Sequence, residues 1–319
     1  MALTRSVIVT GGTAGLGYQA ALNIAKAHPD YLVVLSSRSD ANHAADAINT
    51  ALGQKNTIYI PLDLSDLSNV REYAKQWAAE GHPPIQSLLL NATLQFPGAL
   101  TKTPSGVEAT FAISHVGHAL LFHLLHPHLA AQARIVITSS GVHDPAQKSG
   151  LPDAIYTTAA DLAHPPPSMI NVPGRQRYAS SKLVNVLWTY ALSRRLAGRP
   201  GAVTVTAMDP GLMPGTHLAR EGSVVERFLW YRVLPRILPL LRLLVHPNIH
   251  TAAESGAALA RLAVGVEVEG VEGRYFEGVR EIPSSEDSYV RAKQDDLWQW
   301  TVNYVAQSPE EASRFDELR

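Results

Sequence analysis

The chain has 319 residues, of which 46% are hydrophobic and 17% are charged, and its formal net charge is −1. This composition is typical of a globular protein that can bury one large core or two smaller ones. A charge near zero excludes the basic surface on which nucleic-acid binding depends, so no nucleic-acid partner is expected. The absence of cysteine excludes disulfides and thiolate chemistry and fits a reducing compartment. Only six residues precede the first apolar run, too few for a signal peptide, so we expect a cytoplasmic protein.

The first predicted strand, Val7 to Thr10, is followed by a glycine-rich turn and an alanine-rich helix. Glycine lets the backbone approach a pyrophosphate, and the helix N-terminus offers free N–H groups and the positive end of the helix dipole. The spacing of Gly11, Gly15 and Gly17, G-x-x-x-G-x-G, differs from the G-x-G-x-x-G of two-domain dehydrogenases. The turn therefore predicts a dinucleotide site, the alternative being a glycine turn without function.

The second predicted strand, Tyr31 to Ser36, ends where the adenine ribose of a dinucleotide would lie. An acidic residue there would bind the 2′-hydroxyl of NAD and repel the 2′-phosphate of NADP. The chain has Ser37 and Arg38 instead, which leave room for a phosphate and supply a bidentate donor. We therefore predict NADP(H) rather than NAD(H), unless Arg38 is merely a solvated residue.

Strands and helices continue to alternate along the chain, which predicts one doubly wound, Rossmann-type α/β domain with a parallel sheet over residues 1–319. The further strands are predicted at Thr57 to Leu62, Ile85 to Leu90, Arg134 to Thr138, Val203 to Met208 and Arg274 to Phe276. The further helices are predicted up to Ala51, at Asp66 to Ala79 with a cap at Ser65, at Gly106 to Leu129, from Tyr178 onward, at Thr251 to Ala263 and in the polar tail. His115, His118, His123 and His126 lie on one of them without a carboxylate or cysteine at ligand spacing, so buried polar tips are expected there and no metal site.

Two stretches interrupt the alternation. Residues 141–174 are rich in proline and are predicted to be an insertion. Val224 to Val245, within residues 212–250, is apolar but has four arginines and two prolines, which excludes a membrane span. Two interpretations remain: a lid that folds over the substrate pocket and thereby buries its apolar side chains, or an interfacial helix in weak contact with a membrane surface, which would make the protein peripheral to it.

Tyr178 and Lys182 lie four residues apart in a helix-forming run, so their side chains share one face. A neighbouring ammonium favours the phenolate, and Lys182 is therefore expected to lower the pKa of Tyr178 towards the working range of a general acid. The spacing alone is weak evidence, because Tyr-x-x-x-Lys also occurs on solvated helices.

Taken together, the motifs resemble those of the short-chain dehydrogenase/reductase family over almost the whole chain. The matching stretches, in family order, are Thr10 to Gly17, Asp63-Leu64, Asn91-Ala92, Ser139-Ser140, Tyr178-x-x-x-Lys182 and Pro210-Gly211. Ser114 to Leu121, Ser180 to Leu183 and the long interval between Ser140 and Tyr178 are most similar to the branch of retinol dehydrogenases and protochlorophyllide-reductase-like proteins.

The resemblance implies that Tyr178 donates a proton, that Lys182 lowers its pKa and binds the nicotinamide ribose, and that Ser140 holds the substrate oxygen. Negative charge grows on a carbonyl oxygen as hydride reaches its carbon, and these groups would stabilise that charge. Besides Tyr178 and Lys182, the implied cofactor-binding residues are Gly11, Thr13, Gly15, Leu16, Gly17, Ser37, Arg38, Asp63, Leu64, Asn91, Ala92, Pro210, Gly211, Leu212 and Thr216. Two positions depart from the family pattern: Thr93 replaces a glycine, and Ser114 replaces an asparagine that holds a water for proton relay. Serine can still bind water, so Ser114 remains a catalytic candidate.

These inferences predict an NADPH-dependent reductase of ketones or aldehydes on an apolar small molecule. The alternatives are an NADP-binding sensor of the same fold without turnover and, less favoured by the glycine spacing, an epimerase or dehydratase. The insertion is expected to cover part of the Tyr178 helix and to weaken any dimer, so either a monomer or a homodimer is compatible with the sequence.

Overall fold

The computed structural model describes residues 2–199, 201–216 and 223–318. The strands are β1 (Arg5–Thr10), β2 (Tyr31–Ser37), β3 (Thr57–Pro61), β4 (Ile85–Leu90), β5 (Leu129–Thr138), β6 (Thr204–Asp209), β7 (Arg274–Glu277) and β8 (Arg280–Glu281). The helices are α1 (Gly15–Ala27), α2 (Ala44–Leu52), α3 (Leu67–Glu80), α4 (Ala109–Phe111), α5 (Gly117–Leu125), α6 (Ala159–Ala163), α7 (Gly174–Leu196), α8 (Val224–Phe228), α9 (Leu238–Leu244), α10 (Ala252–Val264), α11 (Arg291–Val305) and α12 (Pro309–Asp316). Two π-helical turns span Ala112–Val116 and Leu229–Val233.

The eight described strands form one sheet in the order β3-β2-β1-β4-β5-β6-β7-β8. Neighbouring strands from β3 to β7 are parallel, and β8 pairs with β7 in antiparallel orientation. The chain order reverses between β1 and β4, which leaves a crevice at the carboxyl ends of these strands. The predicted doubly wound α/β fold is thus confirmed.

The core lies on both faces of this sheet, because consecutive side chains of a strand point to opposite sides. In β1, Ile8 packs with apolar side chains of α3, α5, α7 and α11, whereas Val7 and Val9 pack with those of α1, α2 and α10. All three side chains are fully buried. A strand buried on both faces reads as a continuous apolar run, which is why β1 and β4 could be recognised in the sequence.

Several boundaries differ from the prediction. Helix α3 is capped by Asp66, whose carboxylate accepts a hydrogen bond from the backbone N–H of Ser68, and not by Ser65. The predicted helix up to Leu129 ends at Leu125, where a 3-10 turn containing a proline leads into a longer β5. The antiparallel strand β8 was not predicted, because two residues carry no periodicity.

The histidines of α5 and its preceding π-helical turn are largely core residues, as expected. His115, His118 and His123 are at most 4% exposed, and burial lowers the pKa of each ring. Nowhere in residues 2–199, 201–216 and 223–318 do three or more potential metal-ligating side chains form a group.

Helix α7 runs through the core, and Arg175 is its only exposed residue. The insertion covers the start of this helix: the backbone N–H of Ile155 donates to the hydroxyl of Ser180 over 2.9 Å, and Gln176 donates to the carbonyl of Asp153. The polar tail also packs on this helix, since Trp298 of α11 is fully buried and α11 contacts α7. The expected weak dimer contact stays a prediction.

Residues 223–245 differ from the rest of the chain, because none of them is buried. Trp230 is half-buried and anchors the segment by donating from its indole N–H to the carbonyl of Thr216 over 2.8 Å. Val224, Leu243 and Leu244 are more than 70% exposed. The expectation that folding over the cleft buries the apolar side chains is therefore wrong for most of them. Among the described residues, no helix combines the length and the apolar character needed to cross a membrane.

Candidate active site

The carboxyl ends of β1, β4 and β5 are joined by a buried hydrogen-bond network around Thr10. The Thr10 hydroxyl accepts hydrogen bonds from the backbone N–H groups of Asn91 (2.8 Å) and Ala92 (3.0 Å). The Asn91 amide donates to the carbonyl of Thr10 over 2.9 Å and accepts from the hydroxyl of Thr138 over 3.3 Å. Buried polar groups paired in this way hold three strand ends in fixed positions.

The glycine turn lies beside this network and is shaped by two close backbone approaches. A Cβ atom at Gly17 would lie 2.4 Å from the carbonyl oxygen of Gly11, and one at Gly11 would lie 3.1 Å from the Cα atom of Ala92. Gly11 and Gly15 also have positive φ angles of 66° and 55°. Helix α1 then begins without a side-chain cap at Ala14, which leaves its first N–H groups directed at the space above the turn.

One cavity of about 920 Å³ extends along these strand ends. Its size is at the upper end of the range of about 300–1,000 Å³ for small-molecule sites. The predicted site residues that line it are Gly11, Thr13, Gly15, Leu16, Gly17, Ser37, Arg38, Asp63, Leu64, Asn91, Ala92, Ser140, Tyr178, Lys182, Pro210, Gly211, Leu212 and Thr216. Ser114 is the one predicted site residue that does not line it.

At the β2 end of the cavity, Arg38 is exposed and lines the wall directly after Ser37. The hydroxyls of Ser37 and Thr13 lie 2.9 Å apart and connect this end to the glycine turn. Asp40 also lines the wall, but one of its carboxylate oxygens already accepts from the backbone N–H of Ala44. The carboxylate of Asp63 accepts hydrogen bonds from the backbone and hydroxyl of Ser65, which fixes its orientation.

At the other end, Tyr178 and Lys182 face the cavity from α7, with the Lys182 Nζ atom 5.4 Å from the centre of the tyrosine ring. Nζ also donates to the carbonyl of Thr138 over 3.3 Å, and the adjacent Ser139 hydroxyl donates to the carbonyl of Lys182 over 2.8 Å. These bonds tie the helix to the end of β5. Ser140, which follows that strand, is half-buried and lines the same cavity.

The electrostatics of this pair differ from the prediction. Burial lowers the pKa of Lys182 to about 7, although the negative charge of Asp209 raises it. Burial and then the same charge raise the pKa of the Tyr178 hydroxyl. The expectation that Lys182 lowers the pKa of Tyr178 is therefore wrong for this geometry, because Nζ is directed at the carbonyl of Thr138 and desolvation dominates.

Ser114 lies behind the cavity wall, in the π-helical turn before α5, and is 2% exposed. Its hydroxyl is 2.9 Å from that of Thr93, which does line the cavity. Its carbonyl faces Nδ1 of His118 at 3.1 Å, so the neutral ring carries its proton on Nδ1 and accepts from the Thr10 hydroxyl through Nε2 at 2.9 Å. Thr93 therefore separates Ser114 from any ligand in the cavity.

Comparison with known proteins agrees with this geometry. A family model described as short chain dehydrogenase matches residues 5–158, and one described as AcuH dehydrogenase domain matches residues 219–313. The WW domain-containing oxidoreductase of Danio rerio is 30% identical over 302 residues, which cover 94% of this chain and 68% of the relative. The chain belongs to the short-chain dehydrogenase/reductase family.

The predicted family is thus confirmed, and further relatives and structures agree with it. Human polyprenol dehydrogenase is 28% identical over 300 residues, covering 92% of this chain and 83% of the relative. A short chain dehydrogenase from Burkholderia cenocepacia J2315, solved in complex with NADP, has the same fold, with a TM-score of 0.60, 21% identity, and coverage of 86% of this chain and 96% of that one. Oxidoreduction with a nicotinamide cofactor is the activity shared by the family.

The described residues fit such a cofactor. A dinucleotide needs a helix N-terminus with free N–H groups and a glycine turn that lets the pyrophosphate approach the backbone, and α1 with Gly11, Gly15 and Gly17 provides both. A Cβ atom at Gly15 would have no neighbour closer than 3.9 Å, so the backbone there is open to the cavity. The two departures from the family pattern, Thr93 and Ser114, are coupled through their hydroxyl pair.

Asp209 lines the cavity but was not among the site residues predicted from the sequence. Its carboxylate is 4% exposed, lines the cavity, and accepts hydrogen bonds from the backbone N–H of Gly211 (2.9 Å) and the amide of Asn248 (2.7 Å). Burial raises its pKa to about 6, against the hydrogen bonds from Gly211, Gly141 and Asn248, with the charge of Glu277 raising it further. The available signal was its position at the carboxyl end of β6, on the same edge as every other motif.

Proposed function

We propose that this chain is an NADPH-dependent reductase of ketones or aldehydes on apolar small molecules, with Tyr178 as the proton donor. The observation that carries the proposal is the convergence of Ser140, Tyr178 and Lys182 on the cavity that also contains the glycine turn. A protein that only sensed the cofactor would have no need of a proton donor in the cavity that holds it.

The cofactor, when bound, supplies the hydride. The glycine turn and the N-terminus of α1 would hold its pyrophosphate, and Arg38 would pair with a 2′-phosphate as a charge-assisted, bidentate donor. Asp63 and Leu64 would contact the adenine, and the strand-end residues Asn91 and Ala92 would line the cleft. Pro210, Gly211, Leu212 and Thr216 would contact the nicotinamide half. Lys182 would bind the nicotinamide ribose.

The proton is supplied by the chain itself. Tyr178 is 6% exposed and lines the cavity, so its hydroxyl can donate to a substrate oxygen with little competition from bulk water. Ser140 would donate a second hydrogen bond to the same oxygen as its negative charge grows. Lys182, held by the carbonyl of Thr138, places a positive charge beside the phenol, and this charge would stabilise the phenolate that is left when Tyr178 has given up its proton.

The substrate end of the cavity is mainly apolar, which supports an apolar substrate. The apolar residues that line it include Leu94, Pro97 and Leu151, and Leu229, Trp230 and Leu234 of residues 223–245. These residues of 223–245 act as a partial lid over this end, held to α7 by an ion pair of 2.7 Å between Glu226 and Arg175. Burial of apolar groups against such walls favours binding by about 25 cal/mol per Å².

Replacing Tyr178 with phenylalanine tests the proposal. We expect Tyr178→Phe to lower kcat by about 10²–10⁴-fold, the range of general acid catalysis, with NADPH affinity nearly unchanged. Tyr190→Phe is the matched control, because Tyr190 lies on the same helix, donates to or accepts from Ser284 at 2.6 Å and does not line the cavity. Retention of most of kcat in Tyr178→Phe would assign proton donation elsewhere.

A further inference from the structure

The exposed apolar side chains of this protein are concentrated in one short segment. Of the sixteen large apolar side chains that are exposed in the described part of the chain, nine lie between Val224 and Val245. We call the side chains of residues 223–245 that do not line the cavity the outer face. Contiguous apolar surface of this kind on a globular protein marks an interaction site or an aggregation liability.

The segment is attached to the fold, so this exposure is a property of the folded protein. Trp230 bonds to the carbonyl of Thr216, and Arg242 forms an ion pair with Glu254 at the start of α10. Helix α8 begins with a capping box formed by Ser223 and Glu226. The anchored inner side faces the cavity, and the outer face is left to solvent.

The outer face is also positively charged. Residues 223–245 contain four arginines and one acidic residue, Glu226, whose carboxylate is paired with Arg175. Arg227 and Arg232 are exposed and have no ion-pair partner within the ranges that the structure describes. On α8, Val224 and Arg227 lie three residues apart and are both exposed, so an apolar and a cationic group reach the same surface. Arginine beside exposed Leu, Val and Phe is the pattern of an interfacial segment.

We propose that the outer face docks on an anionic lipid surface. Arginines would pair with lipid phosphates and carboxylates, while Phe228, Leu243 and Leu244 enter the boundary between headgroups and acyl chains. A second copy of the chain is a poorer partner, because a two-fold contact would place the two arginine-rich faces against each other.

The position of the cavity opening indicates that docking would deliver substrate to the cavity, an inference that rests on the proposed function. Leu212, Leu229 and Val245 line the cavity and are 42%, 44% and 66% exposed, so the cavity opens beside the outer face. Docking would bring that opening to the lipid, and an apolar carbonyl compound dissolved there would reach Tyr178 without crossing water.

Vesicle co-sedimentation of the full chain tests the docking. We expect binding to phosphatidylcholine vesicles that contain phosphatidylserine, at least tenfold weaker binding to phosphatidylcholine alone, and loss of binding as salt is raised. The double variant Phe228→Asp/Leu243→Asp should bind at least tenfold more weakly. The double variant Arg227→Glu/Arg232→Glu should lose vesicle affinity by roughly fivefold or more for each arginine replaced. The matched control is Val266→Asp/Val279→Asp, at sites that are 82% and 62% exposed but lie elsewhere, and it should bind like the unmodified protein.

Each other outcome overturns the proposal. These outcomes are no binding to either vesicle, equal binding to both, or equal losses in the outer-face and control variants. A dimer that dissociates in Phe228→Asp/Leu243→Asp, without vesicle binding, would assign the outer face to self-association. NADPH binding by each variant verifies its fold. Turnover without vesicle binding would reject the docking alone, and vesicle binding without turnover would reject the proposed function alone.

Discussion

The strand-end site and residues 223–245 border the same cavity but are built in opposite ways. Four residues at the strand ends are at most 9% exposed and are linked by hydrogen bonds to one another: Thr10, Asn91, Thr138 and Lys182. In residues 223–245 no side chain is buried, and a few anchors such as Trp230 hold the segment.

This contrast separates two requirements of the proposed reaction. Proton donation needs groups fixed to a fraction of an ångström, and a packed network at three strand ends supplies that rigidity. Accepting an apolar substrate needs a surface of suitable shape and little else. A segment with few buried contacts can be substituted or can move without unfolding the sheet, because segments that bury little surface contribute little to the stability of the core.

The largest expected effect is on the free energy of unfolding, and it is tested by truncating a phenylalanine in each of the two regions. Phe122 of α5 is fully buried, with its ring centre 5.7 Å from that of Trp188, whereas Phe228 is 60% exposed. We expect Phe122→Ala to lower the free energy of unfolding by about 3–5 kcal/mol and Phe228→Ala by less than about 0.5 kcal/mol. Chemical denaturation of both variants measures the difference. A loss of several kcal/mol in Phe228→Ala would show that residues 223–245 contribute to the core.

The next effect is on cofactor affinity and concerns the end of the cavity where the adenine ribose would bind. Arg38→Ala should weaken NADPH binding by about 1.5–3 kcal/mol, or one to two decades, because it removes a charge-assisted bond to the 2′-phosphate. NADH binding should change little. Titration with both cofactors checks this, with Arg5→Ala as control at the amino end of β1. If the unmodified protein binds NADH and NADPH equally well, the basis of the NADP assignment is lost.

The smallest expected effect is a shift in the pH dependence of NADPH affinity. Because the pKa of Lys182 is lowered to about 7, its cation is lost as pH rises through that value, and NADPH affinity should fall with it. Asp209, with a pKa raised to about 6, carries its charge above that pH and there favours the Lys182 cation. Asp209→Asn should therefore move the fall in affinity to lower pH.

Cofactor titrations from about pH 6 to pH 8 test this shift. Lys182→Ala serves as control, since it should bind NADPH weakly and lose the pH dependence. The other titratable groups that interact with Lys182 or Asp209 are His118, Tyr178, Tyr275 and Glu277, and none of these is altered in the variants. An unchanged profile in Asp209→Asn would show that the carboxylate does not act on Lys182.

Sequence patterns predicted the sheet well because β1 and β4 are buried on both faces and read as apolar runs between glycine turns. They failed at β8, which is too short to carry a period, and at the end of α5, where Leu129 looked like a helical residue but begins β5. Tertiary pairing with β4 decides the conformation at Leu129.

The candidate site was predictable where one chain segment carries a motif, as in the glycine turn and in the helical pair Tyr178 and Lys182. Asp209 with Asn248, and Thr93 with Ser114, could not be found this way, because each pair joins residues distant in sequence. The exposure of residues 223–245 was also hidden, since an apolar sequence does not reveal whether a partner within the chain covers it.

The most direct measurement is product analysis after incubation of the purified chain with NADPH and a panel of apolar ketones and aldehydes. The account predicts that at least one compound is reduced to its alcohol with one NADPH oxidised per product, and that Tyr178→Phe abolishes this reaction. A folded chain that binds NADPH and leaves it unoxidised across the panel would contradict the account and favour a cofactor-sensing protein.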